Sequence, residues 1–136
     1  MAAAVADFRP AAAATHKHKK DQGVPQLTLE ATPDLLAALG AAKRAQQVLV
    51  GFALETGGDD VVERSCADKL VQKHLDLICG NRADVPGEGF HGERNRIYLR
   101  DRRGGRWLPE ADKQTLARQI LEHAAQLLLE VAQQRA

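Results

Sequence analysis

Two groups of lysines have a spacing that suits the binding of an anion. Lys69 and Lys73 lie four residues apart in a segment whose pattern predicts a helix, so their side chains emerge on one face and could hold a single phosphate chain. A second group, residues 17–20, joins three lysines and a histidine in a stretch whose composition is typical of a loop. For both groups the alternative is ordinary solvated surface charge, because short basic runs are common.

The elements that would position these lysines alternate between strands and helices. Continuous apolar runs predict strands covered on both faces, and capping residues before periodic segments predict helix starts. The predicted strands are residues 2–6 (a buried strand end), 27–30, 48–53, 75–79 and 97–99, and the predicted helices are residues 33–44, 60–74 and 112–134. This order predicts an α/β fold with a parallel or mixed sheet and flanking helices, and residues 11–26 are expected to form a mobile loop.

The start of the chain suggests an incomplete domain. The first predicted strand has no βα unit before it, although an open α/β sheet binds its ligand where the strand order reverses and needs elements on both sides of that point. We therefore expect a domain that lacks its first βα units. Met1 would then be an internal methionine taken as a start, or the point at which the sequence was cut.

Composition argues against several classes of function. The 136 residues fit one domain, and 19 basic against 18 acidic residues leave a net charge of +1, too small to recruit nucleic acid or an anionic membrane. No apolar run approaches the roughly 18 residues of a membrane helix. Cys66 and Cys79 lack metal-ligand spacing, which predicts reduced thiols in a cytoplasmic protein, and none of the five histidines has partners at the spacing of a metal site.

Four segments, in this order and spacing, resemble the phosphopantothenate–cysteine ligase family, which occurs alone or as the second half of a bifunctional decarboxylase/ligase. The segments are residues 3–10 (AAVADFRP), 17–20 (KHKK), 50–56 (VGFALET) and 69–78 (KLVQKHLDLI), with residues 32–36 (TPDLL) between the second and third. The resemblance extends over nearly all of residues 1–136. It covers only the later half of the family's domain.

The resemblance implies a Rossmann-like fold and a role in coenzyme A biosynthesis. The family couples L-cysteine to 4′-phosphopantothenate with CTP, or ATP in some branches, through an acyl-cytidylate, releasing CMP and pyrophosphate. It also implies Mg²⁺ bound with CTP, FMN only where a decarboxylase domain lies upstream, and a homodimer whose contacts partly use residues 27–30. The family's glycine-rich phosphate loop and the asparagine that processes the acyl-nucleotide belong to the earlier half of the domain.

The resemblance also assigns roles to residues. Lys17 matches the catalytic lysine that assists acyl-nucleotide formation, and Phe52 matches the aromatic residue that packs on the base. The residues that match phosphopantothenate-binding positions are Ala3, Ala4 and Asp7. Those that match nucleotide-binding positions are Ala2, Ala3, Asp7, Lys17, Pro33, Asp34, Leu35, Leu36, Phe52, Lys69, Lys73 and Asn81.

The sequence departs from the family pattern at three places. Residues 57–60 (GGDD) look like an insertion, Arg82 follows Asn81 where the family commonly has an aspartate, and His91 follows Gly89-Phe90 where the family is rich in serine and aspartate. Two alternative functions therefore stay open. One is a non-catalytic remnant that dimerises or senses nucleotides, and the other is an oxidoreductase fragment, which the absence of GxGxxG disfavours.

Overall fold

The computed structural model describes residues 5–85 and 92–133. The chain divides between Leu35 and Leu36 into two compact units, here called the N-terminal unit and the main unit. Each is described by itself below.

The N-terminal unit is built on two short antiparallel strands, β1 (Phe8–Pro10) and β2 (Leu29–Ala31). The guanidinium of Arg9 lies 2.7 Å from the Glu30 carboxylate across the pair. Among the described residues between the two strands, one 3-10 turn forms at Lys20–Gln22, and the mobility of the predicted loop at 11–26 stays a prediction.

The predicted strand at residues 2–6 is wrong where the structure describes it. Val5 and Ala6 are exposed and outside any strand, whereas residues 2–4 lie outside the described residues. The backbone hydrogen bonds to the second strand are made further along the chain: the Asp7 carbonyl accepts from the Thr32 N–H, and the Ala11 N–H donates to the Thr28 carbonyl. A strand forms where a partner is available, so apolar composition alone placed this one too early.

The main unit is a four-stranded mixed sheet with helices on both faces. Its sheet order is β3-β4-β6-β7, in which β3 and β4 are parallel and the other neighbours are antiparallel. The elements are α1 (Leu35–Ala41, which begins at the unit boundary), β3 (Val50–Glu55), α2 (Asp59–Gln72), β4 (Leu77–Arg82), β5 (Arg94–Asn95), β6 (Tyr98–Asp101), β7 (Gly105–Trp107), β8 (Ala111–Asp112) and α3 (Lys113–Gln133). Strands β5 and β8 form a separate antiparallel pair.

This architecture confirms the predicted α/β class with a mixed sheet and flanking helices. Among the described residues, the parallel pairing is that of β3 and β4, which are joined through α2 as parallel neighbours require. Strand β6 pairs antiparallel with β4. The short strands β5, β7 and β8 were not predicted, since runs of two or three residues carry too little periodicity.

The two faces of the sheet are covered by different helices. Helix α2 buries Val62, Cys66 and Leu70 against one face, and α3 buries Leu116 with Ile120 and Leu127 against the other. Cys66 and Cys79 are both free thiols within this core, and burial raises their pKa values to about 11 and about 12. Thiols with such pKa values carry almost no thiolate near neutral pH and are poor nucleophiles.

Helix α2 ends in a Schellman motif whose left-handed residue is not glycine. His74 has φ 51°, its N–H donates to the Val71 carbonyl, and the Leu75 N–H donates to the Leu70 carbonyl. Leu70 and Leu75 are both buried in the core cluster, which is the apolar contact that accompanies this motif. The turn delivers the chain directly into β4.

Candidate functional site

Two predicted site residues lie on one face of the parallel strands β3 and β4, Phe52 in the middle of β3 and Asn81 near the carboxyl end of β4. Phe52 pairs in register with Cys79, and Leu54 pairs with Asn81 on the neighbouring strand. Because side chains alternate along a strand, Phe52, Leu54 and Asn81 share the face opposite α2. Phe52 is 49% exposed, so its ring is available to a ligand instead of being locked in the core.

Lys69 reaches the same end of the sheet from α2. Its ammonium lies 2.5 Å from Oε1 of Glu55, the last residue of β3, and the Ser65 hydroxyl donates to the same oxygen at 2.6 Å. Burial raises the pKa of Glu55, but the hydrogen bonds from Lys69 and Ser65 outweigh it and hold that pKa below its ordinary value. Glu55 therefore stays ionised and fixes the position of the Lys69 ammonium.

Glu55 is a residue that the sequence reasoning missed. The available signal was its place in the 50–56 segment, at the end of the strand that carries Phe52. A carboxylate at the end of an apolar run is usually solvated surface charge, so only the tertiary contact with Lys69 identifies it as a positioning residue.

Lys73 lies in a different setting from Lys69. Helix α2 ends at Gln72, and Lys73 is its C-cap residue, with its N–H donating to the Lys69 carbonyl at 3.0 Å. Its own carbonyl oxygen packs so closely against Gly40 that a Cβ there would collide with it. Lys73 therefore lies after the last residue of α2, shortly before β4. The binding of one phosphate chain by both Lys69 and Lys73 stays a prediction.

The loops that follow β3 and β4 are tied together by hydrogen bonds and ion pairs, and several of these contacts use residues that depart from the family pattern. The Gly57 N–H donates to Asp84 at 3.1 Å, and Arg82 donates to the same carboxylate at 3.0 and 3.2 Å. The Arg82 hydrogen bond is the main cause that lowers the pKa of Asp84 to about 2. Asp59, in the first turn of α2, accepts from Arg96 at 2.7 Å and lies 3.7 Å from Arg82. These contacts therefore link the segments after β3 and β4 to the first turn of α2. The residues at this end of the sheet are called the rim below: Glu55, Gly57, Asp59, Arg82 and Asp84.

A tryptophan extends this rim toward β7. The Arg96 guanidinium stacks 4.1 Å from the centre of the Trp107 ring, and the Trp107 indole N–H donates to Glu63 at 2.8 Å. Cation–π contact and ion pairing hold Arg96 in one place, so the segment before β6 is fastened to α2.

The N-terminal unit carries the other predicted residues. Lys17 is exposed on the loop between β1 and β2, and the Asp7 carbonyl accepts from the Thr32 N–H at 2.8 Å. Pro33, Asp34 and Leu35 are exposed just after β2.

One expectation for this region needs correction. Pro33 is not the first helical residue, because α1 begins at Leu35. Leu36 is 8% exposed and packs in the core of the main unit, and its predicted nucleotide contact stays a prediction. A leucine at the start of a short helix is drawn into the core by the apolar area it buries.

Some predicted residues lie outside the described residues. These are Ala2, Ala3 and Ala4 at the start, and Gly89, Phe90 and His91 in the loop after β4. Within residues 5–85 and 92–133, no three histidine, cysteine or acidic side chains lie close enough together to hold a metal ion. In the same residues, no helix is long and apolar enough to cross a membrane.

The fold is that of an α/β domain with a parallel strand pair, and the carboxyl end of such strands is where open α/β sheets bind ligands. The family described as the DNA/pantothenate metabolism flavoprotein C-terminal domain matches residues 1–128. The chain belongs to this family.

Curated relatives support the same placement. The chain is 38% identical over 121 residues to the coenzyme A biosynthesis bifunctional protein CoaBC of Vibrio cholerae, covering 88% of this chain and 30% of the relative. It is 44% identical over 102 residues to a cysteine/cysteine sulfinic acid decarboxylase of an unknown prokaryotic organism, covering 75% of this chain and 28% of the relative. The chain therefore spans less than a third of either protein.

Solved structures share the fold. The C-terminal domain of CoaBC matches with a TM-score of 0.69 and 30% identity, covering 94% of this chain and 53% of that chain. A Cab2 variant in complex with phosphopantothenate-cysteine matches with a TM-score of 0.72 and 20% identity, covering 98% of this chain and 44% of that chain. The chain is thus homologous to the ligase domain of CoaBC.

Proposed function

We propose that this chain supplies the nucleotide-binding part of a phosphopantothenate–cysteine ligase site. The observation that carries the proposal is the placement of Asn81 and the Lys69 ammonium at the carboxyl end of β3 and β4, with Phe52 exposed further back on the face that Asn81 shares. Those residues match the family's nucleotide positions, and the carboxyl end is where such sheets bind ligands. Membership of the family and homology with CoaBC support the choice of reaction.

The proposed reaction has two steps. A carboxylate oxygen of 4′-phosphopantothenate attacks the α-phosphorus of CTP, forming an acyl-cytidylate as the bond to pyrophosphate breaks. The amine of L-cysteine then attacks the acyl carbon, an amide bond forms, CMP leaves and the amine loses a proton to solvent. Both steps bring anions together, so cationic side chains that neutralise the phosphates lower the barrier.

The residues take separate roles in this scheme. Lys17 is the catalytic residue, stabilising negative charge on the reacting phosphate, and Asp7, with Ala3 and Ala4, contacts phosphopantothenate. Phe52 stacks on the base, which is worth roughly 1–3 kcal/mol, and Asn81 hydrogen-bonds the base edge. Lys69 binds phosphate from the position that Glu55 fixes.

In this proposal Mg²⁺ is bound together with the triphosphate. The carboxylates at the rim, Glu55, Asp59 and Asp84, each already pair with a lysine or an arginine. The ion needs few protein ligands when it is held by phosphate oxygens, and it supplies additional neutralisation of their charge.

Calorimetric titration with CTP and with ATP in the presence of Mg²⁺ tests the nucleotide part of the proposal. Phe52→Ala should weaken CTP binding about tenfold, as loss of a stacked base predicts, and Lys17→Ala should also weaken it. The matched control is Val71→Ala, which removes another exposed apolar side chain from the outside of α2 and should leave binding unchanged. Absence of binding by a folded chain would instead favour a non-catalytic remnant of the ligase.

Catalysis is tested by adding a separately produced earlier half of the ligase domain. Formation of phosphopantothenoylcysteine should depend on both polypeptides and should fall at least about 100-fold with Lys17→Ala. No product with any combination, under conditions where the two polypeptides associate, would contradict the proposed activity.

We also propose a homodimer that uses the N-terminal unit. Leu27 and Leu29 are exposed at and beside β2, on the segment that the family uses for dimer contacts. Sedimentation equilibrium should give a dimer mass, and Leu29→Asp should shift it toward the monomer. A monomer at all concentrations would overturn this assignment.

A further inference from the structure

The end of strand β4 carries Asn81 past the point where the sheet supports the strand on both sides. Among the described residues, β4 pairs with β6 as far as Gly80, which lies opposite Tyr98. Beyond that point the strand continues its pairing with β3, where Arg82 lies opposite Glu55. A strand end with backbone hydrogen bonds on one side opens more easily than one held on both sides, so the position of Asn81 depends on further contacts.

Arg82 supplies such contacts on the side where the pairing with β6 has ended. Its guanidinium donates to Asp84 at 3.0 and 3.2 Å and lies 3.7 Å from Oδ1 of Asp59. The other oxygen of Asp59 accepts from Arg96, in the segment just before β6, at 2.7 Å. A chain of ion pairs therefore joins the end of β4 to the segment that leads into β6.

The Arg82 guanidinium is used within the protein. Its Nε and Nη2 atoms donate to Asp84, and its Nη1 atom faces Asp59. Two carboxylates thus offset one positive charge, and the side chain is only 30% exposed. An arginine whose planar donors are already matched to carboxylates is better suited to hold the backbone that carries it than to bind a phosphate.

The backbone of Arg82 in turn contacts the Asn81 side chain. The Asn81 Nδ2 atom donates to the Arg82 carbonyl at 3.4 Å. A carboxamide has two N–H donors and one carbonyl oxygen, so this bond leaves one N–H and Oδ1 for a ligand. The bond also sets which way the amide faces, because a flipped amide would place Oδ1 against the carbonyl oxygen, and two acceptors repel each other.

We propose that Arg82 is a positioning residue that fixes the orientation of the Asn81 amide for reading the nucleotide base. This inference rests on the proposed function, in which Asn81 hydrogen-bonds the base edge. In the fixed orientation the amide offers an acceptor beside a donor, which matches the amino group and ring nitrogen of cytosine or adenine. Uracil has a carbonyl in place of the amino group and requires the flipped amide. Discrimination between these bases therefore depends on the Arg82 carbonyl staying in place.

The experiment measures the affinities of CTP, UTP and inorganic tripolyphosphate by titration calorimetry with Mg²⁺. The wild-type chain should bind CTP more tightly than UTP. Arg82→Met should lower the ratio of CTP affinity to UTP affinity at least about fivefold, as expected for one misplaced hydrogen bond. It should change the affinity for tripolyphosphate, which has no base, less than about twofold.

A matched control removes another arginine from an aspartate pair at the start of α2. Arg64 lies 3.0 Å from Asp60, and both side chains are more than two-thirds exposed. Arg64→Met should leave the ratio of affinities unchanged, because an exposed pair on the helix does not hold the end of β4. Urea denaturation checks that each variant is folded.

A double substitution shows whether Arg82 acts through Asn81. Asn81→Ala should bring the affinities for CTP and UTP within about twofold of each other, and adding Arg82→Met to it should cause no further change in their ratio. Arg82→Lys keeps the charge but cannot hold two carboxylates in a fixed planar geometry, so it should lower the ratio nearly as far as Arg82→Met.

Several results would overturn the inference. An equal loss of affinity for CTP, UTP and tripolyphosphate in Arg82→Met would mean that Arg82 binds phosphate directly. An unchanged ratio in that variant, or the same fall in Arg64→Met, would mean that the ion pairs serve stability alone. Equal affinity of the wild-type chain for CTP and UTP would show that Asn81 does not select the base, although nucleotide binding would stand. Absence of binding by the wild-type chain would contradict the proposed function itself, and this inference with it.

Discussion

The two ends of the parallel strand pair each hold a lysine–carboxylate contact, and the two contacts differ in surroundings. At the amino end, Lys43 donates to both Asp76 oxygens at 2.7 Å, and Asp76 also accepts the Leu49 N–H. These two side chains are only 15% and 17% exposed. At the carboxyl end, the Lys69–Glu55 pair is more open, with Lys69 36% exposed.

The difference teaches that similar chemistry serves two purposes. The amino-end pair is integrated with the backbone, since Lys43 also donates to the His74 carbonyl at 3.0 Å. It therefore fastens the end of α2 and the start of β3 to the loop after α1. The carboxyl-end pair keeps a cation near solvent, and in the proposed function this cation binds a phosphate.

Removing the amino-end cation should have the largest effect on stability. Lys43→Met leaves the Asp76 carboxylate poorly solvated and without its cation, and we expect a loss of about 3 kcal/mol in the free energy of unfolding. Urea denaturation measures it. Nucleotide affinity of the folded variant should stay unchanged, and a loss below about 1 kcal/mol would show that the pair is no more than a surface contact.

The corresponding substitution at the carboxyl end should affect nucleotide binding more than it affects stability. Lys69→Met should change stability by less than about 1 kcal/mol, because exposed pairs contribute little. It should weaken nucleotide binding about tenfold through loss of a charged hydrogen bond. Titration calorimetry alongside Lys43→Met gives the comparison directly, and equal affinities in the two variants would contradict the assigned role of Lys69.

A buried acid near the amino end makes stability depend on pH. Burial raises the pKa of Asp101, but hydrogen bonds from the Arg103 and Gly104 N–H groups and from His123 keep it below the ordinary 3.8. The unfolded chain thus binds this proton more readily, so the stabilisation is complete well above pH 3.8 and is lost as pH falls through the folded pKa.

Asp101→Asn should therefore cost about 1 kcal/mol at pH 7 and remove part of the acid sensitivity. Urea unfolding from pH 7 down to pH 3 should show the two proteins converging as the pH falls. Parallel curves across this range would mean that another group dominates.

The smallest expected effect is a gain at the end of α2. His74 adopts a left-handed conformation that costs an ordinary side chain energy and costs glycine none. His74→Gly should raise the free energy of unfolding by about 0.5 kcal/mol, seen as a higher melting temperature. His74→Ala, which keeps the Cβ, is the control and should give no gain.

Much of the main unit was predictable from the sequence. The long apolar and amphipathic segments predicted β3, α2, β4, β6 and α3 within about two residues at most boundaries, because each carries a full period of its pattern. The sequence was less informative for the N-terminal unit, where the strands have three residues each and depend on pairing. The positions of β5, β7 and β8 were missed for the same reason.

The sequence singled out candidate residues for the site, but it did not predict the contacts between them. Motif resemblance singled out Phe52, Lys69 and Asn81 as nucleotide-binding candidates, and that role stays a prediction. It did not identify Glu55 as the partner of Lys69, and it could not foresee that Arg82 and the residues of the 57–60 segment would brace the rim. Most of these contacts join residues that are far apart in the chain, so local sequence patterns do not predict them.

The sequence by itself determined the family and the fold class of this chain, because periodicity and motif order are local properties that survive without coordinates. Only the tertiary structure decided which lysine is held beside Glu55, why Leu36 is buried, and that Arg82 faces two carboxylates. Those features depend on which surfaces meet when the helices pack on the sheet, and packing is a property of the folded chain as a whole.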